Sequence, residues 1–97
     1  NGFKIPVTGS FFESDDFVVG RISSDSILKS IEKIGSRKEC DGVFVSCTNL
    51  RVASLIKDAE DLLGKPVTSS NHALAWHLLR LSGIKDCQKN YGSLFLR

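Results

Sequence analysis

Cys47 stands at the end of a short apolar run, Gly42-Val43-Phe44-Val45-Ser46, and Thr48, Asn49, Leu50 and Arg51 follow it at once. The stretch reads as a buried strand that ends on a cysteine and runs straight into a helix. That placement aims a thiol and several backbone N–H groups at one point. A helix N-terminus carries about half a positive charge and unpaired donors, so it favours an anion and lowers the pKa of a nearby thiol. Cys47 is thus a candidate base or nucleophile at neutral pH, suited to handling a carboxylate. A cysteine at a strand end also serves as buried packing, and the residues alone leave both readings open.

Two other segments bear on the same chemistry. Ser69-Ser70-Asn71-His72 precedes another helical pattern, where its hydroxyls and amide either hold an anion or cap the helix. Asp15 and Asp16 lie in a polar loop, as a solvated pair or as a wall of the site. Ligands of open α/β sheets bind beyond the carboxyl ends of the strands, which is the edge these three segments reach. His72 and His77 are five apart, about 140° on a helix, so they cannot share a metal as an i, i+4 pair would. No cysteine or carboxylate spacing completes a zinc set, and no metal site is expected. His72 could line the pocket, whereas Trp76 and His77 read as packing residues. No glycine-rich nucleotide motif and no P-loop lysine is present.

The elements that must position these groups alternate between strand and helix. Phe3 to Phe11 reads as a first extended segment, complicated by Pro6, which suits an edge strand or an irregular one. Ser23, Ser24 and Asp25 are candidate N-caps for a helix whose Ile27, Leu28, Ile31 and Ile34 share a face, with Gly35 as its stop. Continuous apolarity over Val43-Phe44-Val45 suggests a strand, Gly42 to Ser46, covered on both sides. A second helix is expected from about Leu50 to Leu63, with Leu55, Ile56, Ala59, Leu62 and Leu63 inward and Gly64 at its end. Lys65 to Ser70 reads as the third strand. Asn71 is the expected cap of a third helix, Ala73 to Leu81, which turns Leu74, Leu78 and Leu81 inward and closes at Gly83. Residues 84–97 carry no strong period, and Tyr91-Gly92-Ser93-Leu94-Phe95 looks like a tail that packs on something. This order implies right-handed βαβ units and an α/β fold: a Rossmann-like parallel sheet of three to four strands flanked by helices.

Length and composition bound the reading. Ninety-seven residues make a single domain at most, with room for a modest core. A net charge of +2, with the 13 Lys and Arg spread along the chain, argues against a nucleic-acid face. No apolar run approaches the ~18 residues of a membrane span, and no signal peptide opens the chain. The 3 cysteines, Cys40, Cys47 and Cys87, form no CxxC and leave an odd one out, which fits a reducing cytoplasm. Cys40 and Cys87 read as small apolar or incidental surface residues. Methionine is absent and Asn1 is a bulky neighbour for methionine removal, so the chain is expected to be a piece of something longer.

The combination of Phe44-Val45-Ser46-Cys47-Thr48-Asn49-Leu50-Arg51 with Leu63-Gly64-Lys65-Pro66-Val67-Thr68-Ser69-Ser70-Asn71-His72-Ala73-Leu74-Ala75-Trp76 resembles the C-terminal half of the Asp/Glu racemase superfamily. The branch is that of maleate cis-trans isomerase and arylmalonate decarboxylase. Gly9-Ser10-Phe11, Asp15-Asp16, Val19-Gly20-Arg21-Ile22, Leu79 to Ile84 and Tyr91 to Phe95 extend the likeness over essentially the whole chain. The resemblance implies one half of a two-domain, pseudo-symmetric enzyme without cofactors, with its active site in the cleft between the halves.

It further implies two thiols, one per half, that act as base and acid on opposite faces of a carbon next to a carboxylate; Cys47 matches the second. Thr48, Asn49, Ser70 and Asn71 match positions that hold the substrate carboxylates. Asp16 falls where related isomerases place a polar substrate contact, often Asn, and an aspartate there would repel a dicarboxylate such as maleate. The first-half cysteine is not in this chain, and neither Cys40 nor Cys87 matches its motif. The expected partners are therefore a small carboxylic acid and either an N-terminal half or a second copy that completes the cleft, as in a homo-oligomer. Two other readings stand beside the isomerase or racemase: a non-catalytic carboxylate-binding or assembly module, and a decarboxylase of the arylmalonate type. In that decarboxylase glycines follow the cysteine, where this chain has Thr48-Asn49.

Overall fold

Serines, glycines and one lysine set where the described helices start and stop, and α1 shows how. The computed structural model describes residues 3–10, 20–46, 51–87 and 89–97. Helix α1 spans Ser24–Gly35; the extended Ser23 caps it by accepting from the Ser26 N–H at 3.2 Å. Asp25 in the first turn and Lys33 in the last complement its dipole. Ile27 and Ile31 are buried one turn apart and form its inner stripe. Gly35 is the last helical residue and not the left-handed stop the sequence suggested. It is buried, and a Cβ there would lie 2.7 Å from both Leu63 Cδ1 and Val43 Cγ2, so the glycine serves close packing. Lys65 finishes the helix from a distance, donating from Nζ to Gly35 O at 2.6 Å and to Arg37 O at 3.0 Å.

Strand β1 (Val43–Val45) pairs in parallel with β2 (Val67–Ser69), with Val43 opposite Val67, Phe44 opposite Thr68 and Val45 opposite Ser69. Between them lie a 3-10 turn, Ala53–Leu55, and helix α2, Ile56–Leu63. This is the strand–helix–strand crossover expected of an α/β chain. Alternation puts Val43, Val45 and Val67 on one face. That face closes a core with Ile27 and Ile31 of α1 and with Val52, Ile56 and Ala59, while Ile22, Leu28, Leu55 and Leu63 pack around it. Helix α2 ends on Gly64 at φ 65°, whose N–H bonds Glu60 O at 2.8 Å, the left-handed stop read from the sequence. On its exposed side Lys57 Nζ pairs with Asp61 at 2.9 Å. The hydrogen bond to Asp61 raises the lysine's pKa, so what the pair adds is complete at neutral pH and lost as pH climbs through that raised value.

Other expectations change as well. The sheet has two strands among the described residues, in place of three to four. Residues 3–10 are irregular, with Phe3 and Ile5 exposed; Pro6 has no N–H to give a ladder. Phe44 is 61% exposed, so β1 is covered on one face and not both. Leu62 of α2 is exposed as well, one position off the Ile56–Ala59–Leu63 stripe.

A further change concerns α3, Ser70–Leu81, which follows β2 without a loop. Its cap is Ser69, accepting from the His72 N–H at 3.2 Å, and not Asn71. Leu74, Leu78 and Leu81 are 54%, 53% and 71% exposed, not inward. The buried residue is His72, and Trp76 and Leu79 continue its stripe, half-buried. Positions 72 and 74 are two apart, which on a helix places them on nearly opposite sides. The inner stripe is thus centred on a polar residue, so apolarity alone selected the wrong face. His77, expected to pack, is exposed. Ser82 then caps the C-terminus and Gly83 turns the chain at φ 82°.

The tail packs as expected. After Gly83 the chain runs back through two 3-10 turns, Lys89–Tyr91 and Ser93–Leu96, against α2 and α3. Arg80 grips it through four main-chain carbonyls: Arg97 at 2.9 Å, Ile84 at 3.0 Å, Asp86 at 3.3 Å and Phe95 at 3.4 Å. No helix among the described residues is long and apolar enough to cross a membrane.

Candidate functional site at the start of the third helix

The described part of the candidate site is the junction of β2 and α3. Ser69 is an extended residue (φ −138°, ψ 171°) whose side chain turns back onto the first turn of α3. Ser70 and Asn71 therefore occupy that first turn, half-buried and exposed respectively. The helix has 12 residues and no acidic side chain in its first turn, so its N-terminal partial charge is not locally cancelled. These are conditions under which an anion is favoured.

His72 is the most constrained group there, 2% exposed. Its Nε2 lies 2.6 Å from Tyr91 O and its Nδ1 2.8 Å from Thr68 Oγ1. A carbonyl only accepts, so Nε2 carries a proton and donates it. In the neutral ring Nδ1 then accepts from the Thr68 hydroxyl; the tautomer follows from the hydrogen-bond network. The ring also packs against Phe95, centroids 4.8 Å apart. With both nitrogens engaged, His72 offers the site a ring surface and no open lone pair.

Beside it is a pocket of about 290 Å³ lined by Ala53, Asn71, His72, Ala75, Tyr91 and Phe95. His72, expected to line the substrate pocket, is part of this wall. Among the described residues Asn71 is the predicted carboxylate-holding residue on its wall, and Ser70 adjoins it in the chain. Ala53, Tyr91 and Phe95 were not anticipated. Tyr91 and Phe95 come from a segment with no sequence period, and alanines carry no chemical signal.

The remaining predicted residues, Cys47, Thr48, Asn49 and Asp16, lie outside the described residues, as does Asp15. The residues on either side of the cysteine turn, up to Ser46 and from Arg51, are described. Strand β1 ends at Val45, two residues before the cysteine. Arg51 and Val52 are not helical, and α2 starts only at Ile56, after the 3-10 turn. The helix expected from Leu50 thus begins later, and its first turn has no side-chain cap. Val52, Ala53 and Leu55 account for the delay: Val52 is buried as the anchor of the core, and the chain winds tightly onto it with Leu55 N to Val52 O at 2.8 Å. The helix field expected from Leu50 onward therefore starts at Ile56. The other two cysteines are as expected: Cys40 is a buried apolar filler and Cys87 is exposed.

A family model described as arylmalonate decarboxylase matches residues 10–95 of the chain. Comparison with curated proteins and with solved structures gives no match.

Proposed function

Because the chain belongs to the arylmalonate decarboxylase family, a branch of the Asp/Glu racemase superfamily that also holds the maleate isomerases, we propose that it is the C-terminal half of a cofactor-independent isomerase or racemase of the maleate isomerase type. The proposed substrate is a small carboxylic acid. Cys47 is the proton donor or acceptor: as a thiolate it takes the proton from the carbon beside the carboxylate, and as a thiol it returns one. Ser70 and Asn71, with Thr48 and Asn49, hold the carboxylate, and Asp16 faces the substrate and disfavours a second carboxylate. The family match over residues 10–95, which takes in both the cysteine turn and the Lys65–Trp76 block, carries this reading. The capped start of α3 supports it, because it offers an anion the positive end of a 12-residue helix.

In this reading the sheet gains a third or fourth strand, and the cleft its second thiol, from an N-terminal half or from another copy. One thiol serves one face of the substrate. The monomeric chain is therefore expected to convert neither maleate nor an α-substituted acid, followed by proton NMR in D₂O; turnover by a monomer would overturn the half-enzyme reading. Cys47 itself is tested by alkylation with iodoacetamide between pH 6 and 8, with exposed Cys87 as the internal reference. As the base of this reading, Cys47 is expected to react faster than Cys87 at the acidic end, with the completed cleft and not α2 as the source of its activation. Equal rates would leave a carboxylate-binding or assembly module without thiolate chemistry.

The family's description favours one second reading, a decarboxylase. There a single second-half cysteine suffices to reprotonate the carbanion left when CO₂ departs. Thr48-Asn49 in place of glycines counts against it. Release of CO₂ from a disubstituted malonate by the assembled protein, with no isomerisation of maleate, would decide for the decarboxylase.

A further inference from the structure

We infer that residues 89–97 form a strap over the pocket and that Glu60 is the latch, a positioning residue for the wall the strap supplies. Glu60 lies in the last turn of α2 and is half-buried. Its Oε1 accepts from the Ser93 N–H at 2.6 Å, and its Oε2 accepts from Ser93 Oγ at 2.6 Å and from the Val67 N–H at 3.2 Å. One carboxylate thus ties the strap to the first residue of β2, the strand that leads into the candidate site. Hydrogen bonds to an ionised acceptor are the strong ones, and this carboxylate takes three.

The approach is close enough to need a glycine. Gly92 is buried at φ 84°, and a Cβ there would run into Glu60 and Ile56. On one side of it the Tyr91 carbonyl accepts a hydrogen bond from His72 Nε2–H; on the other the Phe95 ring covers the imidazole. Tyr91 and Phe95 are also pocket wall.

Apolar cover over the strap is thin, with Tyr91 43% and Leu96 50% exposed and only Gly92 and Phe95 buried. A segment held by few buried apolar contacts opens before the core does. Arg80 keeps hold of Phe95 O and Arg97 O, so loss of Glu60 lifts the middle of the strap about a tethered end. Lifting it removes a wall from the pocket, takes the acceptor from His72 Nε2, and uncovers a ring that is otherwise out of reach. This inference rests on geometry and not on the role of Cys47.

Diethyl pyrocarbonate, which acylates a neutral imidazole nitrogen, reads the strap directly. In the full chain His77 is exposed and is expected to react, while buried and doubly bonded His72 is spared. In Glu60→Ala the rate at His72, mapped by mass spectrometry, is expected to rise about tenfold or more, the loss of a charge-assisted latch. His77 and the amide exchange of α1 should not change. Glu60→Gln keeps one acceptor oxygen and is expected between the two. If Glu60→Ala does not fold, Ser93→Ala, at an exposed site, carries the same expectation at smaller size. A folded variant in which His72 stays spared would overturn the proposal. So would loss of amide protection in α1 in step with His72, because that would make Glu60 a general stabiliser and not a latch.

Discussion

Ser69 and Asn71 divide two tasks that look interchangeable in the sequence. Ser69 accepts the His72 N–H and starts α3, while Asn71 lines the pocket. Ser69→Ala is therefore expected to cost about 1 kcal/mol in urea unfolding, the usual value of an N-cap. Asn71→Ala should leave that cap intact and weaken binding of a small carboxylate, measured by titration calorimetry with acetate or benzoate as the probe. The reverse result, a stability loss at Asn71 and none at Ser69, would restore the capping seen in the sequence. His72 repeats the point. It is the side chain on which β2, α3 and the tail converge, yet its two partners, Thr68 Oγ1 and Tyr91 O, are four residues upstream and nineteen downstream. The near one is a hydroxyl at helical distance and could have been guessed; the far one is a main-chain carbonyl, which every residue has.

At the scale of elements, legibility followed apolar periodicity and failed where something else set the face. Helix α1, the valine strands and α2 from Ile56 onward were readable because their buried residues are aliphatic and regularly spaced. Helix α3 was located correctly but turned the wrong way, because its buried stripe starts at His72 while leucines line the opposite side. Thermal and urea unfolding can check this contrast. Ile56→Ala, at a fully buried position, is expected to cost about 2–5 kcal/mol. Leu78→Lys, at a side chain 53% exposed, should stay within about 0.5 kcal/mol. Gly35→Ala is a sharper case. Helix propensity favours alanine by about 1 kcal/mol, but the new methyl meets Val43 and Leu63, and overpacking of that kind costs about 1–3 kcal/mol. A net loss is expected; a gain would mean that Leu63 swings aside freely. Of the candidate site, the β2–α3 junction was legible as a polar cluster before a helix. The pocket was not, since Tyr91 and Phe95 of its wall come from a tail without a period.

The whole molecule poses the question of what completes it. A two-stranded sheet with Phe44 outward and an α3 with leucines outward leaves apolar surface on the described part of the chain. The proposed cleft needs a second half, and a second copy is one source of it. Sedimentation of the full chain near 10–100 µM, where specific protein association commonly appears, should then show dimers; a strict monomer throughout would leave only the N-terminal half as the completing partner. Arg80 adds a last consequence at this scale. All four of its partners in the tail are main-chain carbonyls. The tail's course is therefore written largely in another element, and Ile84, Asp86 and Arg97 can change identity without changing what Arg80 holds. A deep substitution scan of residues 84–87 and 96–97 would come out nearly silent, while position 80 would tolerate almost nothing, not even lysine, whose single ammonium cannot span that fan of acceptors. The shape of residues 84–97 is thus inherited from a residue elsewhere in the chain.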